Sequence, residues 1–174
     1  MTAFNNIIIS GISGSGKTSF VTSQIKDQNN IKERLSDHLH QDQDYNNGNL
    51  SLVTDAAFKL ASFNKNDQVN LVIDDINMID TFNDEQWLQK QIKQVFQLAL
   101  KSQYEYSRTP TINTIYWIGT NQELIHRIVK QAMVELSNPN SDKFNEINTQ
   151  YSKMSQQGKT GKEYNFDLWR VVLK

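Results

Sequence analysis

Apolar positions in this chain alternate between continuous runs and helical periods. Ile7, Ile8 and Ile9 form one run. Val69 to Ile73 form a second, and Ile112, Ile115, Tyr116, Trp117 and Ile118 a third. Short runs of this kind read as strands buried on both faces of a parallel sheet. After the first run come Phe20, Val21 and Ile25. Leu88, Ile92, Val95, Phe96, Ala99 and Leu100 recur at helical spacing from Trp87 onward. Leu124, Ile125, Ile128, Val129, Ala132, Met133 and Leu136 do the same after the third run. These predict three helices. Asp84-Glu85 suits the start of the second, and Asn138-Pro139 the end of the third. Residues 27–66 carry only the weak patterns Leu35/Leu39 and Leu50/Leu52/Val53, which leave room for a further strand and helix. Strands alternating with helices predict an α/β fold of three layers, a parallel central sheet wrapped on both faces. Beyond Pro139, the spacing of Phe144, Ile147, Tyr151 and Met154 predicts a short helix. QQGKTGK reads as a loop and YNFDLWRVVLK as another amphipathic element. The expected organisation is an α/β core at 1–139 and a small, partly formed helical subdomain at 140–174.

The first run leads directly into GISGSGKT, where Gly11, Gly16, Lys17 and Thr18 match the pattern G-x-x-x-x-G-K-[ST] of a phosphate-binding loop. The spacing follows from the chemistry. Glycines let the backbone N–H groups of Ser13, Gly14, Ser15 and Gly16 turn inward around anionic oxygens, and the helix that follows presents its positive end to the same anion, with Ser19 in its first turn. Lys17 adds a mobile charge for the β/γ-phosphates, and Thr18 a hydroxyl ligand for Mg²⁺. A nucleoside triphosphate with Mg²⁺, ATP in the first instance, is the expected ligand.

The second run ends in Asp74-Asp75. A carboxylate at the end of a strand facing such a loop can hold Mg²⁺ through water, the role expected of Asp74. Its neighbour Asp75 can orient or deprotonate the attacking water. The third run closes on Gly119-Thr120-Asn121, and Asn121 can either point at the γ-phosphate or cap the helix after it. His38, His40 and His126 show no paired ligand spacing that suggests a metal site. Trp87, Trp117 and Trp169 lie in apolar patterns that suit the core.

Composition sets outer bounds. The chain has 174 residues, a formal net charge of −1 and no cysteine. Thiolate zinc sites and disulfides are therefore excluded. The charge balance gives no electrostatic case for general nucleic-acid binding. No apolar stretch approaches the roughly 18 residues of a membrane span, and no signal segment opens the chain. A soluble, cytoplasmic protein is expected.

The order GISGSGKT, LVIDDINMID, a helix, then IYWIGTN followed by another helix resembles the AAA+ family of ATPases. That resemblance implies Lys17 and Thr18 as Walker A residues, Asp74 and Asp75 as Walker B, and Asn121 as sensor 1. The Asp at the second Walker B position is shorter than the Glu of many members. More narrowly, IDDINMID, WLQKQIKQVFQLAL, IYWIGTN and EYNFDLWRVVLK look like dynein heavy chain ring modules of the third and fourth kind. Ile79 replaces a proline common there, and Arg170 sits one place beyond the sensor-2 arginine. The similarity implies neighbouring AAA+ modules or subunits in a ring as partners, microtubule-motor components among them. Arg127 comes early for an arginine finger and suits a surface helix.

Other function classes compete with such an ATPase. A P-loop kinase of the polynucleotide kinase-like type fits the length and could use HQDQDYN at 40–46, but only Arg127 and Lys130 stand where a lid cluster of arginines is needed. A DnaC-like helicase loader shares the Asp-Asp ending but needs a basic face. A module that binds nucleotide for stability alone is the fourth class. Strand order separates the first two: a strand inserted between those carrying the glycine loop and the paired acids favours AAA+, and direct adjacency favours the kinase.

Overall fold

A computed structural model of the chain describes residues 4–38, 51–76, 85–104, 108–137, 149–153 and 166–173. Its elements in chain order are β1 (Asn5–Gly11), α1 (Lys17–Gln24), β2 (Asn29–Arg34), a 3₁₀ turn (Leu35–His38), α2 (Leu52–Ala61) and β3 (Gln68–Asp74), followed by α3 (Glu85–Ser102), β4 (Thr111–Gly119), α4 (Gln122–Ser137), β5 (Thr149–Lys153) and β6 (Phe166–Leu173). The strands form one sheet in the order β2-β3-β4-β1-β6-β5. The first four are mutually parallel, as the apolar runs predict. β4 lies between β1 and β3, pairing Ile8 with Trp117 on one side and Ile73 with Trp117 on the other.

Alternation along the strands divides the core. Ile8, Leu71, Ile73, Ile115 and Trp117 face one side, where α2, α3 and α4 contribute Leu60, Phe96 and Val129 to the larger apolar cluster. Ile9, Val72 and Ile118 face the other, against Val21 of α1, Ile25 just beyond it and Phe166 and Leu168 of β6. A helix therefore covers each face of the parallel strands. Trp117 is fully buried and stacks on Phe96 with centroids 5.6 Å apart, and Trp87 is buried too, so both belong to the core. The Trp117 indole N–H donates to Asn6 Oδ1 at 2.9 Å, which satisfies two buried polar groups at once.

The last part of the chain corrects the expectation of a helical piece at 140–174. Its described residues are strands: β6 runs antiparallel to β1, from Asn6↔Val171 to Gly11↔Phe166, and β5 runs antiparallel to β6. Phe166 and Leu168, two residues apart, are both buried, a period of two rather than of three to four. The boundary expected near residue 140 has no counterpart in the sheet, because β6 hydrogen-bonds the strand at its centre. Leu39, the HQDQDYN stretch, Leu50, Ile79, Asp84, Asn138-Pro139, Phe144, Ile147, Met154 and QQGKTGK lie outside the described residues, as do the side chains of Leu136, Trp169 and Arg170.

Candidate functional site

The parallel strands deliver the ends of β1, β3 and β4 to one edge of the sheet, the position at which open α/β sheets collect their functional loops. β1 runs into the glycine loop. Gly14 and Gly16 hold φ of 80° and 92°, a left-handed conformation that side chains resist, and a Cβ on either would meet nothing within 4 Å. Glycine is needed there for its backbone freedom, with open space where the side chain would be. Gly16 is also the N-cap of α1, which has no side-chain cap and no acidic residue in its first turn. The N–H groups at that end are therefore left for an external acceptor.

Lys17 opens α1 and turns back over the loop, its ammonium donating to the carbonyls of Gly11 and Ile12 at 2.8 Å each. Burial lowers its pKa from the ordinary lysine value, and the nearby Asp74 carboxylate opposes that shift. The Thr18 hydroxyl donates to Asp74 Oδ2 at 2.7 Å, closing the gap between helix α1 and strand β3. Asp74 Oδ1 in turn accepts the Asp75 N–H at 2.7 Å, so both oxygens of this carboxylate are held in place. Ser13, Gly14, Gly16, Lys17, Thr18, Ser19, Asp74, Asp75 and Thr120 line a cavity of about 310 Å³. The glycine loop and the acid pair thus meet in one cavity, as their patterns anticipate.

Asn121 takes the second of the two roles its position allows, and Asp75 is engaged by residues outside the glycine loop. Asn121 is turned to α4, where its Oδ1 accepts the Leu124 N–H at 3.0 Å as an N-cap. The residue that β4 brings into the cavity is Thr120. Asp75 reaches the cavity but is clamped from outside it. Its Oδ2 accepts from Arg34 Nε at 2.9 Å, Arg34 Nη2 at 2.7 Å and Ser36 Oγ at 3.2 Å, and its φ of 61° is left-handed. Arg34 ends β2 and Ser36 lies in the turn beyond it, and neither carries a motif that sequence reasoning could have used. Arg127 forms an ion pair with Glu85 at 2.6 Å, which fits a surface-helix role.

Thr18 and Asp74 also form part of the wall of a second cavity of about 440 Å³ between β2 and α2. His38, which no spacing marks as special, is buried there with its Nε2 2.8 Å from Glu33 Oε2. The Lys59 ammonium lies 3.1 Å from Glu33 Oε1 and 3.0 Å from Asp55 Oδ2. Burial, and a hydrogen bond shared with Asp55, raise the pKa of Glu33, while the hydrogen bonds from His38 and Lys59 pull it back.

Compared with protein-family models, with curated proteins and with solved structures, the chain matches nothing. Residues and geometry alone therefore carry the functional assignment. Among the described residues no helix is long and apolar enough to cross a membrane.

Proposed function

We propose that this chain is a nucleotide-hydrolysing module of AAA+ type that binds Mg·ATP at the end of β1. The observation that carries the proposal is the Thr18 Oγ1–Asp74 Oδ2 contact of 2.7 Å beneath the glycine loop. It unites the two halves of the motif on one spot and supplies two hard oxygen donors, the set that suits Mg²⁺. When bound, the ion would be held by Thr18 and, directly or through water, Asp74, and would neutralise charge on the phosphates. The insertion of β4 between β1 and β3 supports a hydrolase over a kinase, since the polar residue at the end of β4 then lies between the anion loop and the acids.

The chain's own groups divide the work. Backbone N–H groups of the loop and the uncapped start of α1 receive the phosphate oxygens. Lys17 exchanges its two carbonyl acceptors for phosphate oxygens, at no loss in hydrogen-bond count. Asp75 takes a proton from the attacking water, and the Thr120 hydroxyl, in place of the expected Asn121, is the sensing group at the end of β4. With the Asp75 carboxylate shared by Arg34 and Ser36, basal turnover is slow. A ring of neighbouring modules belongs to the same proposal. The dynein-like part of the resemblance loses one of its supports, because it implies a helix for EYNFDLWRVVLK and Phe166–Leu173 is a strand.

The decisive measurement is ATP affinity in Lys17→Ala. Loss of a charge-assisted phosphate contact is expected to weaken binding roughly 10- to 100-fold. An unchanged dissociation constant rejects the site. Release of inorganic phosphate without any acceptor distinguishes hydrolase from kinase.

A further inference from the structure

The second cavity holds a cluster that ATP hydrolysis does not use. Glu33 from β2, His38 from the 3₁₀ turn and Asp55 from α2 each offer one ligand atom, and the three atoms lie within 4.8 Å of one another. Two of the side chains are almost wholly buried, His38 at 8 % and Glu33 at 2 % exposure. A cation already sits among them: the Lys59 ammonium bridges Glu33 and Asp55, on a side chain 46 % exposed. We propose that this cluster is a binding site for a divalent transition-metal ion, Zn²⁺ or a chemically similar ion, with Glu33, His38 and Asp55 as ligands and Lys59 as the group it displaces.

Charge balance selects a cation over an anionic ligand. The cavity wall carries Glu33, Asp37, Asp55 and Asp74 against Lys32, Arg34 and Lys59, and Arg34 is engaged with Asp75. A phosphate entering here would meet a net negative wall. Within the cluster, two carboxylates share one ammonium, whereas a doubly charged ion neutralises both and leaves imidazole as a neutral donor. One nitrogen and two carboxylate oxygens suit Zn²⁺, Mn²⁺ or Co²⁺ better than the all-oxygen preference of Mg²⁺ or Ca²⁺. The geometry requires only local adjustment, since no two of the three ligand atoms are more than 4.8 Å apart. Two ligands of one tetrahedral zinc at about 2.1 Å lie roughly 3.4 Å apart. The present His38–Glu33 separation of 2.8 Å therefore has to open by only about half an ångström. The Lys59 stem lies at the surface and can swing its ammonium into solvent as the ion enters. Any proton that Glu33 shares with His38 or with Asp55 leaves to solvent as the ion binds. Three elements that share no backbone ladder would then be tied at one point.

The test is titration of the full chain with Zn²⁺ by calorimetry and with Co²⁺ by visible absorption, in an Asp74→Asn background that removes the carboxylate placed to hold a metal in the phosphate cavity and leaves there only Asp75, which Arg34 and Ser36 engage. One site is expected, with a Co²⁺ d–d band. His38→Ala and Asp55→Asn should each weaken it at least roughly tenfold, and Lys59→Met should tighten it by about the same factor. Asp55 is the most exposed of the three ligands, so its variant keeps the test open if His38→Ala fails to fold, with far-UV circular dichroism as the check. Binding that survives both ligand substitutions, disappears in the Asp74→Asn background, or is not detected at millimolar ion overturns the proposal.

Discussion

Asp75 carries two competing demands at the scale of a single residue. A base for the attacking water needs a carboxylate oxygen free to accept a proton. Asp75 Oδ2 instead receives three hydrogen bonds from Arg34 and Ser36. The Arg34 side chain is 66 % exposed, so its pairing with Asp75 is solvent-screened and easily exchanged. Arg34→Ala is therefore expected to leave the thermal midpoint nearly unchanged and to raise basal phosphate release about two- to five-fold, measured under saturating Mg·ATP. Asp75→Asn removes the base but not the phosphate contacts. It should lower kcat at least about 100-fold with the ATP dissociation constant within about threefold. Equal loss of binding and turnover in Asp75→Asn would assign that carboxylate to holding the metal instead. Lys17 and Thr18 were legible in the sequence because the chemistry fixes their spacing, and Asp74 because an apolar run ends on it. Arg34 and Glu33 were not, because their partners Asp75 and Lys59 lie on elements whose approach only the fold determines, and His38 was not, because its partner Glu33 stands at a spacing that signals no site. Thr120 was overlooked for a simpler reason: an Asn after a strand is both a good sensor and a good helix cap, and here capping takes it.

Among the elements, legibility follows burial. β1, β3 and β4 are covered on both faces and so spell out as apolar runs. α3 and α4 bury one stripe each and so keep a helical period. β2 is an edge strand with the sequence NNIKER, whose inward positions are Ile31 and the acidic Glu33, so its alternation is disguised by a charge. FDLWRVVL is apolar at too many adjacent positions to separate a period of two from one near four. Helix α4 also carries a titration consequence. His126 is half-buried on it, and burial lowers its pKa below the ordinary 6.5. A base with a lowered folded-state pKa contributes stability that is fully present above 6.5 and declines as pH falls from there toward the folded value. Urea midpoints are accordingly expected to hold from pH 8 to about 6.5 and to decline below it. In His126→Gln the decline over that window should be shallower, and identical slopes would show that some other group governs it.

At the scale of the whole molecule, the question is whether residues 140–174 are an appendage or part of the sheet. The first four strands leave the free side of β1, Asn6 to Gly11, to be satisfied by β6. Phe166 closes the apolar cluster of the α1 face at 3 % exposure, its ring 5.2 Å from that of Phe20. Removing β5 and β6 would uncover a central, apolar strand as an edge, with unpaired N–H and C=O groups and without its cover over Ile9 and Ile25. A chain ending at residue 139 is thus expected to aggregate or to unfold without a cooperative transition, and to lose ATP binding, since β1 is the strand that presents the glycine loop. A self-standing α/β core with an attached lid would behave oppositely, retaining a cooperative transition and measurable nucleotide affinity after the cut. Phe166→Ala in the full chain provides the graded version. Truncating a nearly fully buried aromatic ring is expected to cost about 3–5 kcal/mol, read as a lower urea midpoint at unchanged slope. If that variant loses less than about 1 kcal/mol, β6 is a loosely attached strip and the α1 face is closed without it. A loss in the expected range would place the end of the chain among the elements that hold the phosphate loop in position.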